Sequence, residues 1–322
     1  MIVDPKKTAL VIDEQISRFM PVLPLFGLVI GYFLPEFMIQ FRHWTPYCLA
    51  LITLASALRL QIKEFGSAMR SPFPILVFFS IVRILMPLCV LLFSSLFFRG
   101  EPEIITGYIV IYSAPVAVAG FIWIVIFNGN KALGLSLILL DTLFSPLIMP
   151  ATIMVLRGTD VNINASSIIV SMLLMVGIPT IVGVIINETS RGKIPAQISP
   201  FLNPLSKLSL IFIISSNSAS ILPTIQLNDL RIWKIAGLCC FFLISTMLLP
   251  RLGAFLIKCD HEKTVGLTFS AAQRNSSAAL TVAVSFFPEL VVLPTLVHII
   301  FQQLLSGILG RLVFGKSRSD SS

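Results

Sequence analysis

The feature that most constrains this chain is a succession of apolar segments that leaves no loop long enough to form a soluble domain. Crossing the hydrocarbon core requires about 20 apolar residues per helix. Only 12% of the 322 residues are charged, whereas soluble domains contain about 25%. The pattern therefore predicts an all-α membrane protein with ten transmembrane helices, at residues 19–39, 46–62, 73–98, 104–127, 131–156, 166–187, 203–222, 233–257, 264–287 and 291–313.

Basic residues indicate how these helices are oriented. With the N-terminus in the cytoplasm, inner loops and tails hold 16 Lys and Arg residues and outer loops hold 5. Short cytoplasmic loops are enriched in Lys and Arg, so we expect a multi-pass protein of the cell membrane with both termini cytoplasmic. This topology accounts for the net charge of +8, so the charge does not indicate a nucleic-acid partner. The expected partner is the lipid bilayer. The polar N-terminus argues against a removable signal peptide.

Catalytic and metal-binding motifs are missing from the sequence. The five cysteines have no CxxC spacing and lie mostly inside apolar segments, so neither a disulfide framework nor a metal site is predicted. A Walker loop, a GxSxG elbow and an HExxH motif are also absent. We therefore expect no enzyme activity and no cofactor.

The ten segments divide into two sets of five, residues 1–160 and 161–322. An odd number of helices per set inverts the second set relative to the first, as in many secondary transporters. The fourth segment is interrupted by Ser113-Ala114-Pro115 and the ninth by the polar run from Ser270 to Ser277. Paired interruptions at matching places indicate a binding site, so helices 4 and 9 are predicted to be discontinuous. A proline kink with a polar packing seam is the alternative.

At these interruptions the chain resembles the bile acid:sodium symporter superfamily, and in particular a poorly characterised bacterial branch with a Gln-Arg-Asn motif in its ninth span. Four stretches, which together cover most of the chain, carry the resemblance through their order and spacing. They are Ser56–Leu60 with Phe65 and Arg70-Ser71-Pro72; Met86-Pro87; Ala114-Pro115 with Gly129-Asn130 and Ser145-Pro146; and Gln273-Arg274-Asn275 with Phe287-Pro288 and Phe301-Gln302-Gln303. The resemblance implies a panel and a core domain, broken helices that cross at the centre, and alternating access.

The chain departs from that family at the positions where the resemblance places side-chain ligands for two sodium ions. Hard cations prefer oxygen ligands, yet only one of these positions keeps a side-chain oxygen. The degenerate positions are Val82, Gly120, Phe121, Gly134, Ile138 and Ser270, and an arginine, Arg274, replaces a glutamine of the family. Coupling to sodium is therefore in doubt, although backbone oxygens could still serve as ligands.

Three charged residues, Arg83, Asp141 and Arg274, fall near the middle of their predicted spans. A charge at the bilayer centre costs about 2.5–3.5 kcal/mol on insertion scales, so we expect these three side chains to face the interior and pair with one another. Their sum, 2 − 1 = +1, leaves one positive charge beside helix N-termini, which also attract anions. This combination suits a carboxylate substrate.

Polar residues at the breaks and in the seventh span are the other candidates for contact with that substrate. Serine and asparagine also join helices without any ligand, and that alternative stays open for each of them. A lone histidine, His298, is read as a packing residue. The predicted substrate-binding residues are Arg274, Asn275, Gln273, Ser113, Asn217 and Ser276.

The sequence thus predicts a secondary transporter of small organic anions that works without the family's usual sodium site. Arg274 would supply a fixed positive charge in place of sodium, and transport would be facilitated or coupled to protons through Asp141. The alternatives are sodium coupling through backbone ligands, arsenite efflux, and a membrane receptor that does not transport. Arsenite carriers of this fold would present a cysteine at the fourth-span break, and residues 113–121 contain none.

Overall fold

A computed structural model describes residues 10–11, 13–16, 19, 22–60, 72–158, 164–225 and 228–315. These residues are helical apart from short connections and one isolated β-bridge. The helices are α1 (Leu23–Phe33), α2 (Pro35–Gln40), α3 (Thr45–Ala57), α4 (Pro72–Phe97), α5 (Pro102–Ser113), α6 (Gly120–Ile126), α7 (Lys131–Arg157), α8 (Ala165–Thr189), α9 (Lys193–Ser218), α10 (Leu230–Leu256), α11 (His261–Ala272), α12 (Ser276–Phe286) and α13 (Val292–Phe314).

Five of the described helices, α4, α7, α8, α9 and α10, are long and apolar enough to cross a membrane, or six if the bent α13 region is included. That region bends by 51° between Gln302 and Leu304. The structure therefore confirms an α-helical membrane protein. Ten spans arranged as two inverted repeats, residues 1–160 and 161–322, stay a prediction, and part of the predicted interfacial stretch, from residue 61 to 71, lies outside the described residues.

Local sequence explains where several helices begin. Proline occupies the first turn of α1, α2, α3 and α5, where its missing N–H costs nothing. Asn130, Asp229, Asp260 and Asn275 cap α7, α10, α11 and α12, each accepting a backbone N–H of the first turn. Hydropathy placed the seventh span at 203–222, but α9 begins ten residues earlier, at Lys193, because its first turns are helical without being apolar.

The chain forms two compact units, and each draws on both halves of the sequence. Unit 1 comprises Met1–Gln61 and Val170–Ile225, and unit 2 comprises Ile62–Ile169 and Gln226–Ser322. In unit 1, α9 packs against α1 and α3. Small residues permit this close approach, since a Cβ on Gly31 would lie 2.6 Å from the hydroxyl of Ser218.

Unit 2 contains both interrupted segments. α11 packs against α10, α7 and α6, while α13 packs against α10 and α5. A stacked aromatic cluster of Trp123, Phe127 and Phe269 joins α6 to α11. This packing brings the two interruptions together, and the site described below lies in this unit.

Candidate functional site: two helix breaks joined by a β-bridge

Both predicted interruptions are present, and they meet. α5 ends at Ser113 and α6 begins at Gly120, while α11 ends at Ala272 and α12 begins at Ser276. Between them Val116 and Arg274 form an antiparallel β-bridge. Its two hydrogen bonds run from Ala117 N–H to the carbonyl of Gln273 and from Asn275 N–H to the carbonyl of Pro115, each 2.8 Å long. The two extended segments thus satisfy backbone groups that the broken helices leave free.

Arg83 and Asp141 form a buried ion pair beside the first break. Arg83 Nε donates to Asp141 Oδ1 at 2.7 Å, and its Nη2 lies 2.6 Å from Oδ2. Arg83 Nη1 also donates to the carbonyl of Ser113 at 2.6 Å, and the N–H of Val116 donates to Asp141 Oδ2 at 2.7 Å. The pair therefore binds the last carbonyl of α5 and one amide of the bridge.

A local change in helix winding presents Arg83 to this position. Residues Ser80–Leu85 of α4 form a π-helical turn, and Pro87 follows within the next turn. The proline ring clashes with the carbonyl four residues earlier in a regular α-helix, and that residue is Arg83. Widening the helix there relieves the clash, and such π turns are frequent at functional sites.

Arg274 is buried and forms no ion pair among the described residues. Its side chain belongs to a residue that is 1% exposed, and Nε, Nη1 and Nη2 have no hydrogen-bond partner among the described residues. The guanidinium lies over the ring of Tyr112, whose centroid is 5.9 Å from Cζ. We expected Arg83, Asp141 and Arg274 to pair with one another; among the described residues, Arg83 and Asp141 pair, and the guanidinium of Arg274 has no partner.

The backbone of Arg274 is held by a residue that is not among the predicted substrate-binding residues. Gln302 on α13 accepts the N–H of Arg274 through Oε1 at 2.9 Å and donates to its carbonyl through Nε2 at 3.1 Å. One turn later, Ser306 accepts from Gln273 Nε2 and donates to the carbonyl of Gln302. The sequence feature that could have indicated this role is the pair Gln302 and Gln303 inside an apolar segment. The sequence does not show which helix these side chains face.

The other candidates at the breaks have separate roles. Asn275 caps α12 by accepting the N–H of Ala278 at 3.1 Å. Ser276 lies 3.2 Å from Nδ1 of His298. The hydroxyl of Ser113 and Oε1 of Gln273 are buried and have no partner in the described part of the chain.

His298 lies in the same cluster as the Arg274 side chain. Its ring packs edge-on against Tyr112, with centroids 5.3 Å apart, and Tyr112 also carries the guanidinium of Arg274. Nε2 of His298 and the hydroxyl of Tyr112 have no hydrogen-bond partner within the described ranges. Buried polar groups normally have partners, so this side of Arg274 has unused capacity to bind a polar ligand.

Asn217 belongs to unit 1, whereas the residues at the breaks belong to unit 2. It is fully buried at the end of α9, and both side-chain amide atoms are without a partner in the residues that the structure describes. Its assignment to the substrate site stays a prediction.

The positions expected to hold sodium do not offer a set of side-chain oxygens. Val82 and Ile138 belong to a buried apolar cluster, with Phe121 packed against it. Gly120 faces the carbonyl of Phe269, and Gly134 faces the side chain of Ile124. Ser270 keeps its hydroxyl, but that group donates to the carbonyl of Gly266 on its own helix, at 2.7 Å. Hydrocarbon thus fills most of the places where a hard cation would need oxygen.

Comparison with known proteins gives an independent finding. The model of the Sodium Bile acid symporter family matches residues 46–223. "Uncharacterized protein YbaS" of Bacillus subtilis (strain 168) is 32% identical over 294 residues, covering 91% of this chain and 96% of that protein. "Uncharacterized sodium-dependent transporter YocS" of the same strain is 24% identical, with coverages of 87% and 86%. "Probable sodium/metabolite cotransporter BASS1, chloroplastic" of Arabidopsis thaliana is 21% identical, with coverages of 92% and 74%.

Proposed function

The chain belongs to the sodium bile acid symporter family, a family of membrane transporters and not of enzymes, and we propose that it carries small organic anions by alternating access without the family's usual sodium site. The observation that carries this proposal is the buried guanidinium of Arg274, whose three nitrogens have no partner in the described part of the chain. Burying an unpaired charge is costly, so a site that retains one is suited to a ligand of opposite charge.

A carboxylate is the anion that fits best. Guanidinium donors form a planar fork that matches a carboxylate with two parallel hydrogen bonds. The neighbouring ring of Tyr112 offers an apolar surface, while the hydroxyl of Ser113 and Nε2 of His298 are free to bind polar atoms. The proposed substrate is therefore a small organic acid with both apolar and polar parts.

The buried ion pair of Arg83 and Asp141 provides a fixed positive charge beside the first break, where the resemblance to the family implies a bound sodium ion. Arg83 carries a permanent charge and contacts both the terminal carbonyl of α5 and the carboxylate of Asp141. We had assigned this fixed-cation role to Arg274, and the geometry favours Arg83 for it. Both oxygens of Asp141 are already engaged, which favours facilitated transport over proton coupling through this residue.

The full proposal includes the architecture and membrane orientation expected from the sequence. Two inverted five-helix repeats would form a panel and a core domain, with the broken helices crossing at the centre, in a cell membrane with both termini in the cytoplasm. The names of two relatives, a "sodium-dependent transporter" and a "sodium/metabolite cotransporter", favour sodium coupling through backbone oxygens as a second candidate. An experiment must therefore separate anion transport from sodium dependence.

Uptake of radiolabelled organic acids into proteoliposomes makes that separation. The purified protein should accumulate an acid by counterflow at zero sodium, with an unchanged rate as sodium replaces potassium. Arg274→Gln should abolish counterflow, whereas Arg231→Gln, at an arginine whose side chain is 49% exposed, should not. A saturable sodium requirement would favour sodium coupling through backbone oxygens. Export of arsenite by cells that express the protein would show that it is an arsenite efflux carrier. Binding of an acid without counterflow would indicate a receptor that does not transport.

A further inference from the structure

The β-bridge between the two breaks has one side chain from another helix on each of its two outer sides. Successive residues of an extended segment direct their N–H and C=O groups to opposite sides. The carbonyl of Gln273 and the N–H of Asn275 form hydrogen bonds with the first break. The N–H and C=O of Arg274, which lies between them, therefore point away from that break. The N–H of Val116 points away from the second break in the same manner. Each outward amide therefore needs a side-chain partner.

The two partners occupy corresponding places but differ in charge. Asp141 accepts the N–H of Val116, and Gln302 accepts the N–H of Arg274. Asp141 lies near the middle of the fifth predicted span and is followed four residues later by Ser145, while Gln302 lies in the tenth and is followed by Ser306. The carboxylate has its own cation in Arg83. The carboxamide adds no charge.

We propose that Gln302 is the positioning residue of the anion site, because its neutral carboxamide holds the backbone of Arg274 without neutralising the guanidinium. This inference rests on the proposed function. A donor and an acceptor on one planar group pair with both the C=O and the N–H of Arg274. An apolar residue at 302 would leave the N–H of Arg274 unpaired and its carbonyl with only the N–H and hydroxyl of Ser276 as donors among the described residues. A carboxylate would supply an opposing negative charge.

Two substitutions separate the geometric and electrostatic parts of this role. Gln302→Leu removes both hydrogen bonds. Gln302→Glu reproduces them when the new carboxyl group is protonated, because a neutral carboxyl has one O–H donor and one carbonyl acceptor. When it ionises, it loses the donor and gains a charge beside Arg274. Thr295→Val is the matched control on α13, since Thr295 is fully buried and its hydroxyl has no partner among the described residues.

Other titrating groups surround this stretch of α13, so every pH series needs the wild type beside it. α12 contributes no titratable side chain. The titratable side chains on the elements that pack against α13 are Glu103, Tyr108 and Tyr112 on α5, Arg231, Lys234, Cys239, Cys240 and Arg251 on α10, and Glu289 before α13; Arg274 lies at the break, and α13 itself carries His298 and Arg311.

The experiment measures the affinity for an organic acid that is ionised throughout a series from about pH 5 to about pH 9. Gln302→Leu should weaken binding about tenfold or more at every pH, the loss expected from two hydrogen bonds. Gln302→Glu should bind the acid about tenfold or more weakly than the wild type wherever its carboxyl group is ionised, and any recovery of affinity should appear only as that carboxyl group is protonated at the acid end. Thr295→Val should follow the wild type.

The outcomes distinguish failure of the positioning role of Gln302 from failure of the proposed transport function. If the wild type binds no acid, or if Arg274→Gln binds as tightly as the wild type, the proposed function fails and the inference fails with it. If Arg274→Gln abolishes binding while Gln302→Glu binds as tightly as the wild type at the alkaline end, the positioning role alone is wrong. Binding that Gln302→Leu leaves unchanged also refutes the positioning role.

Discussion

Arg83 and Arg274 are both buried beside the joined helix breaks, yet their surroundings are opposite. Arg83 lies against the carboxylate of Asp141 and the terminal carbonyl of α5. The guanidinium of Arg274 lies over the ring of Tyr112 and has no hydrogen-bond partner in the part of the chain that the structure describes. Removing one partner of a buried ion pair is strongly destabilising, so Arg83 depends on Asp141 in the folded protein, whereas a buried charge without a partner reduces stability unless a ligand pairs with it. We propose that Arg83 serves the fold and that Arg274 binds the anion.

The largest effect should come from removing the partner of Arg83. Asp141→Asn leaves a buried guanidinium without its counter-charge and should lower the free energy of unfolding by about 3–5 kcal/mol. Thermal unfolding in detergent measures this loss. Asp260→Asn is the control, because Asp260 is an exposed helix cap and asparagine caps equally well.

A double substitution sharpens the same comparison. Arg83→Met combined with Asp141→Leu removes both charges, so it should destabilise less than Asp141→Asn alone. If Asp141→Asn unfolds at the same temperature as the wild type, the ion pair of Arg83 and Asp141 does not contribute to stability. The proposed difference between Arg83 and Arg274 would then be wrong.

A change of opposite sign is expected at Arg274. Arg274→Met removes an unpaired buried charge and keeps an unbranched side chain, so the ligand-free protein should gain about 1–3 kcal/mol of unfolding free energy. The measurement is again thermal unfolding, without any organic acid present. Arg231→Met is the exposed control and should change stability by less than about 1 kcal/mol. A loss of stability as large as that of Asp141→Asn would show that Arg274 has a counter-charge after all.

The smallest effect tests how firmly the second break is held. Ser306→Ala removes the acceptor of Gln273 Nε2 and the donor to the Gln302 carbonyl, and should cost about 0.5–1.5 kcal/mol. Ser245→Ala is the control, since the hydroxyl of Ser245 is exposed and bonds only the carbonyl of Phe241 in the same helix. Equal unfolding temperatures for the two variants would mean that Ser306 does not hold the break.

The helical architecture and both breaks were predictable because they leave a linear signature. Apolar runs of the right length predict helices, and Pro115 together with the polar Gln273-Arg274-Asn275 interrupts two of them. Hydropathy gives the depth of a residue in a helix but not the direction in which its side chain points. The sequence therefore placed Arg83, Asp141 and Arg274 at one depth and could not show which arginine takes the carboxylate.

The contribution of Gln302 was hidden for a related reason. It binds backbone groups of Arg274, 28 residues away, and such contacts do not depend on the partner's side chain. Hydropathy could not predict the two compact units either, because each unit combines segments from both halves of the chain.

The most direct test of the account is a thermal-shift screen of small organic acids in sodium-free buffer, with the wild type and Arg274→Gln side by side. Ligand binding to the folded state raises the unfolding temperature as occupancy increases. The account predicts that at least one carboxylate stabilises the wild type and that the same acid leaves Arg274→Gln unchanged. Equal stabilisation of both proteins by every active acid would contradict it.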